Sequence, residues 1–219
     1  MSTVLTQSIN LLAAILLMLA FAMLSQRRVL SLIHLFTLQG ATLALSTAIV
    51  GVATHQPHLY FSAALTLLLK VILIPLLLHR VIDRLNVRWD VETLINIPTT
   101  LLAGIVLVIF SFYLAQPIAQ MSLTITRGTL GIALASVLLS FMMMITRSKA
   151  VPQVIGFLAM ENGLFFAATA ATYGMPMVVE LGIALDVLVG ILILGVFLFH
   201  IREQFDSMDI RHLEKLKED

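Results

Sequence analysis

Apolar residues fill this chain in long runs, and charged residues gather in short clusters between them. A helix rises about 1.5 Å per residue and the hydrocarbon core of a bilayer is about 30 Å thick, so a spanning run needs roughly 17 to 25 residues. Seven runs of about that length occur, at 8–25, 29–53, 60–79, 98–115, 128–146, 151–173 and 179–200. The pattern predicts an all-α integral membrane protein with seven transmembrane helices. What remains is short loops and a charged tail at 201–219. These leave no room for a soluble catalytic domain or a nucleotide-binding fold.

The clusters between the runs add an orientation, because Lys and Arg accumulate in short loops on the cytoplasmic side. Arg27 and Arg28 follow the first run, Arg80, Arg84 and Arg88 the third, Arg147 and Lys149 the fifth, and Arg202, Arg211, Lys215 and Lys217 the seventh. Arg127 stands alone on the other side, and Lys70 lies inside a run. Such a division predicts an N-out, C-in protein in an inner, cytoplasmic membrane; an even number of spans would destroy it. Composition agrees, with 60% hydrophobic residues, 11% charged residues and a mean hydropathy of +1.04. The net charge of +1 leaves no nucleic-acid footprint, since the basic groups mark topology. The first run lacks a positive leading region and is followed by Arg27 and Arg28, so it reads as a retained helix and not a cleaved signal. With no cysteine, disulfides and thiolate-bound clusters are excluded. The six histidines, His34, His55, His58, His79, His200 and His212, show no metal-ligand spacing. The stretch 81–96, with Trp89, reads as a segment lying along the membrane surface, and the tail as a short amphipathic helix or a solvated end.

One carboxylate stands out. Glu161 lies near the middle of the otherwise uncharged run 151–173, where a bare charge costs from about 2.5 to well over 10 kcal/mol. Residues of this kind usually lie on ion paths; the plainer alternative is a locally satisfied carboxyl that packs helices. Lys70, about halfway along the third run, is at similar depth and would pair with Glu161 if the two helices were neighbours, or else with an acidic residue of another subunit. Asp186, roughly 10 Å into the seventh run by the helical rise, is a candidate relay to the outer surface. Glu180 sits nearer that surface, where a carboxylate needs no special explanation. Asn162 and Gly163 are ordinary helix-packing residues, Pro75 predicts a kink and Pro152 marks a first helical turn. Met142, Met143 and Met144 read as packing residues.

The chain also matches itself. The segment 62–70, SAALTLLLK, aligns with 182–190, GIALDVLVG, and Leu38-Gln39-Gly40 falls where Met160-Glu161-Asn162-Gly163 sits. This predicts two parallel three-helix units, the first within 1–95 together with the interfacial segment and the second at 127–200. The fourth run, within 96–126, would link them, and 201–219 would be the tail.

The runs 156–163, GFLAMENG, and 180–186, ELGIALD, resemble the HyfE-type membrane subunit of hydrogenase-4 and formate hydrogenlyase-like complexes. That resemblance covers essentially the whole chain, and the second three-helix unit is also similar to the NuoK subunit of complex I and the MrpC subunit of cation/proton antiporters. It implies a non-catalytic subunit of a complex I-like respiratory assembly. Antiporter-like and NuoH-like membrane subunits and peripheral redox subunits would be its partners, and those partners would carry the Fe–S clusters and a nickel-iron centre. Glu161 falls at the family's mid-membrane glutamate. The second NuoK glutamate has no clean counterpart here, since the seventh run offers Glu180 and Asp186 instead. The resemblance leaves two roles open, proton or cation translocation coupled to redox chemistry and a structural adaptor between antiporter-like subunits, with an Mrp-like antiporter as a third.

Overall fold

The computed structural model describes residues 3–54, 56–85, 91, 93–121, 129–172, 188 and 195. The seventh run, apart from Leu188 and Gly195, lies outside them, as do Glu180, Asp186, Trp89 and the tail. Among the described residues the protein is helical, without a strand. Its elements are α1 (Thr3–Ser25), α2 (Val29–Thr54), α3 (His58–Thr66), a π-helical segment (Leu67–Leu73), α4 (Ile74–Leu85), α5 (Ile97–Met121), α6 (Leu130–Thr146) and α7 (Ala150–Thr172). Five of the helices are long and apolar enough to cross a membrane, counting α3 to α4 as one, and α6 is an apolar helix of 17 residues. The first six predicted runs therefore coincide with helices. Several helices outrun their apolar stretches, α1 starting at Thr3, the third helix continuing to Leu85 and α5 continuing through Pro117 to Met121, because backbone hydrogen bonding does not stop where hydropathy does.

The third helix is continuous from His58 to Leu85 but widens in its middle. Pro75 explains the place. It has no N–H to give to the preceding turn and its ring crowds the carbonyl four residues back. Immediately before it the chain takes the wider turn, with the Ile74 N–H donating to Leu69 O, five residues back. The kink expected from Pro75 is therefore a π segment, a feature that tends to mark functional positions in helices.

The middle of the bundle is formed by α1, α2, α6 and α7, with α6 packed along α7 and α1 along α2, and with α1 also against α6 and α2 against α7. Helix α5 flanks α1 and α6, and the third helix flanks α2. Glycines set the closest of these contacts. A Cβ on Gly163 would sit 2.9 Å from Val137 Cγ2 and 3.0 Å from the Val137 backbone nitrogen, and one on Gly156 would sit 2.9 Å from Met144 Cγ. Seven residues apart, these two glycines lie on one face of α7 and turn it against α6. The largest core cluster, including Met23, Phe36, Ile74, Met143 and Leu158, fills the space between α1, α2, α4, α6 and α7. Large apolar side chains such as Leu11, Met18, Leu102, Ile109 and Tyr113 face outward, as suits a lipid solvent.

One end of the bundle is tied across by polar contacts. Arg147, which the sequence offers only as a loop charge marking topology, is fully buried at 1% exposure. Its Nη2 donates to Leu24 O at 2.7 Å and Met23 O at 3.2 Å, the last carbonyls of α1. Burial pulls its pKa below the ordinary arginine value, from so high a start that the guanidinium stays charged. Beside it the Val91 N–H donates to Arg27 O at 2.7 Å and the Leu94 N–H to Thr146 O at 2.9 Å, with Thr93 and Arg147 forming an isolated antiparallel bridge. Of the segment expected on the membrane surface, residues 81–85 are the end of α4, while Val91 and Leu94 are bonded to the turn after α1 and to the end of α6, with Val91 buried.

Candidate functional site

Lys70 sits in the centre of the π segment, and Glu161 projects from α7. Counting 1.5 Å per residue from His58 and from Ala150, both lie about 16 to 18 Å along their helices, close to the middle of a bilayer-sized span. Lys70 Nζ donates to Glu161 Oε2 at 2.5 Å, and the two residues are 3% and 6% exposed. Of the two partners open to Lys70 from sequence, the structure supplies Glu161.

Helix α2 prepares this meeting. A Cβ on Gly40 would lie 3.2 Å from Lys70 Cβ and 3.5 Å from Lys70 O, so the absence of a side chain lets the widened turn approach α2. One residue earlier, the buried Gln39 accepts a hydrogen bond at Oε1 from Asn162 Nδ2 at 3.3 Å, linking α2 to α7 beside the ion pair. The Phe165 ring, one turn beyond Glu161, covers the ammonium at 5.4 Å from its centroid, within range of a cation–π contact.

The two carboxylate oxygens have different surroundings. Oε2 holds Lys70, while Oε1 is buried and has no hydrogen-bond partner among the described residues. Glu161 and Lys70 both line a cavity of about 10 Å³ whose other walls are Ser62, Leu65, Thr66, Leu69 and Phe165. The carboxylate is thus held by an ammonium on one oxygen and unpaired on the other, beside a small cavity. Among the described residues no group of three His, Asp or Glu side chains gathers as a metal site. His34 and His79 approach with ring centroids 6.1 Å apart, and His79 Nδ1 lies 2.8 Å from Pro75 O.

Of the four residues singled out from sequence, the structure brings Lys70 and Glu161 together, and Asp186 and Glu180 lie outside the described residues. Gln39, Ser62, Thr66 and Phe165 belong to the site without having been singled out as functional. A signal for two of them was present. Ser62, Thr66 and Lys70 recur every fourth residue in an apolar run, which places them on one helical face.

No protein-family model matches the chain, and no solved structure matches it. It is 31% identical over 189 residues, 86% of each chain, to the uncharacterized protein Rv0085 of Mycobacterium tuberculosis. More distantly, it is 23% identical over 148 residues, 68% of each chain, to hydrogenase-4 component E of Escherichia coli K12, with the same figures for that of Shigella flexneri.

Proposed function

The chain belongs to the same family as the mycobacterial protein Rv0085, and we propose that it is a non-catalytic membrane subunit of a hydrogenase-like, complex I-like assembly. In this reading Glu161 carries protons across the middle of the membrane, coupled to redox chemistry in other subunits. Likeness to hydrogenase-4 component E supports the kind of assembly, and it is the basis for placing the chain in a prokaryotic inner membrane among antiporter-like, NuoH-like and peripheral redox subunits. The NuoK and MrpC resemblance of the second unit, the N-out orientation and the seven-helix count belong to the same proposal. The packing of α1 on α6 and of α2 on α7 supports a duplicated three-helix unit, since it sets first helix on first and second on second.

The buried Lys70–Glu161 pair is the observation that carries this reading. Removing two charges from water is repaid only by close geometry, so a pair at mid-span is maintained against a cost. Lys70 lies against the carboxylate while the pair is closed. In this reading, movement of Lys70 or a change of charge in an adjoining subunit opens the pair and frees the carboxylate to exchange a proton. Asp186 would relay protons toward one surface, and Glu180 would stand at its exit.

An adaptor role, with the pair serving only to bind helices, is favoured by the broad exposed apolar face of α5, including Leu102, Val106, Ile109 and Tyr113. Glu161→Gln separates the two in proteoliposomes of the intact purified complex, at matched assembly and redox activity. Translocation requires that proton pumping collapse. Unchanged pumping would establish the adaptor.

A further inference from the structure

Two residues lining the cavity at the ion pair carry a buried oxygen without a hydrogen-bond partner among the described residues, Glu161 Oε1 and Ser62 Oγ. The cavity they share measures about 10 Å³. A buried hydroxyl or carboxylate oxygen without a hydrogen bond costs about 1 to 3 kcal/mol, more when charged. A cavity of this size is at the threshold for one water, and such waters occupy polar sites with at least two partners. Here the carboxylate and the hydroxyl are those partners, with Leu65, Leu69 and Phe165 as apolar walls.

We propose that Glu161 and Ser62 hold a single water between them, and that this water begins a proton path from Glu161 along α3 to the end of the bundle where α2 and α3 meet. The inference rests on the reading of Glu161 as the proton-carrying group. Its course follows from spacing. Lys70, Thr66 and Ser62 are buried at 3%, 6% and 2% exposure and lie four residues apart on one face. Counted from His58, they stand about 18, 12 and 6 Å along the helix. The polar stripe therefore covers the distance between mid-span and the end of α3. A proton leaving the Glu161 carboxyl passes to the water as the water gives one of its own to Ser62 Oγ, and Ser62 releases its hydroxyl proton to solvent water at the bundle end. Glu161 is left as a carboxylate, whose charge Lys70 balances. Asp186 is not needed for this step, since Ser62 supplies the next oxygen.

Proton yield per electron in proteoliposomes of the intact complex tests the path, with Ser62→Ala, Ser62→Val, Glu161→Gln and wild type compared at matched assembly and redox rate. Ser62→Ala keeps the cavity and removes an anchor of the water, and Ser62→Val also fills the space. The expected order is wild type, then Ala, then Val, with Val lowered about tenfold through loss of a buried water's hydrogen bonds, and Glu161→Gln silent. Wild-type yield in both Ser62 variants beside a silent Glu161→Gln overturns the Ser62 path and leaves the role of Glu161 standing. Wild-type yield in Glu161→Gln overturns both.

Discussion

A lysine and a glutamate that neutralise each other at mid-membrane are each costly once the other is gone. Breaking a buried pair from one side typically costs about 3 to 5 kcal/mol, whereas replacing both members by apolar residues of similar volume is often neutral or stabilising. The Lys70–Glu161 pair, with both side chains buried, meets the conditions for this asymmetry. Lys70→Met should therefore lower stability by about 3 kcal/mol or more, and Lys70→Met with Glu161→Met should return it most of the way to wild type. Thermal unfolding of the purified complex in detergent reads both variants. Additive losses would mean that the two residues do not depend on each other, and the pairing would have to be abandoned. If stability recovers in the double variant while pumping does not, the pair is kept for its protonation chemistry and not for its contribution to the fold.

At the scale of helices, close approach decides where these side chains point. Gly163 brings α7 against the backbone of α6, and Glu161 and Asn162, two and one residues earlier, turn toward Lys70 and Gln39. A methyl group at Gly163 would meet the Val137 nitrogen at 3.0 Å, and backbone cannot step aside. Gly163→Ala should cost about 1 to 3 kcal/mol as an overpacked contact. At Gly104 the added carbon would meet side-chain atoms alone, Leu139 Cδ2 and Phe21 Cε1 at 3.1 Å and Leu24 Cδ1 at 3.4 Å, which can give by a few tenths of an ångström, so Gly104→Ala should cost less than Gly163→Ala. Melting temperatures of the two variants test the contrast, and equal losses would refute it. Much of this level was readable in advance. Helix positions followed from apolar run length, and Glu161 and Lys70 stood out because a charge inside such a run is rare. Their contact was not readable, because run length says nothing about which helices are neighbours. The π segment was missed in kind though not in place, since Pro75 announces a disturbed helix without saying how its hydrogen bonds re-form. Gln39 escaped attention because an uncharged amide in an apolar run gives a far weaker signal than a charge.

For the whole molecule, the end that carries Arg147 is the place where position in sequence misleads most. By the loop-charge rule Arg147 is interchangeable with any nearby basic residue, since only its side of the membrane matters. In the fold it is a staple. Its guanidinium reaches carbonyls in the last turn of α1, where a positive charge also complements the helix dipole, while Val91 and Leu94 bond to the ends of the α1–α2 and α6–α7 turns. Two of its nitrogens, Nε and Nη1, have no partner among the described residues, which offsets part of the gain. A net loss of about 1 to 3 kcal/mol is therefore expected when the staple is cut. Moving the charge by one residue, as Arg147→Gln with Ser148→Arg, keeps the loop charge constant and removes the staple. Ser148 is exposed, so the new arginine would face outward. If Arg147 acts as a staple, the double variant should insert with unchanged topology, as read by reporter fusions at the loops, yet melt as low as Arg147→Gln alone. Recovery of the wild-type melting temperature would mean that charge at this end is enough, and that the contacts to Met23 and Leu24 contribute nothing of their own.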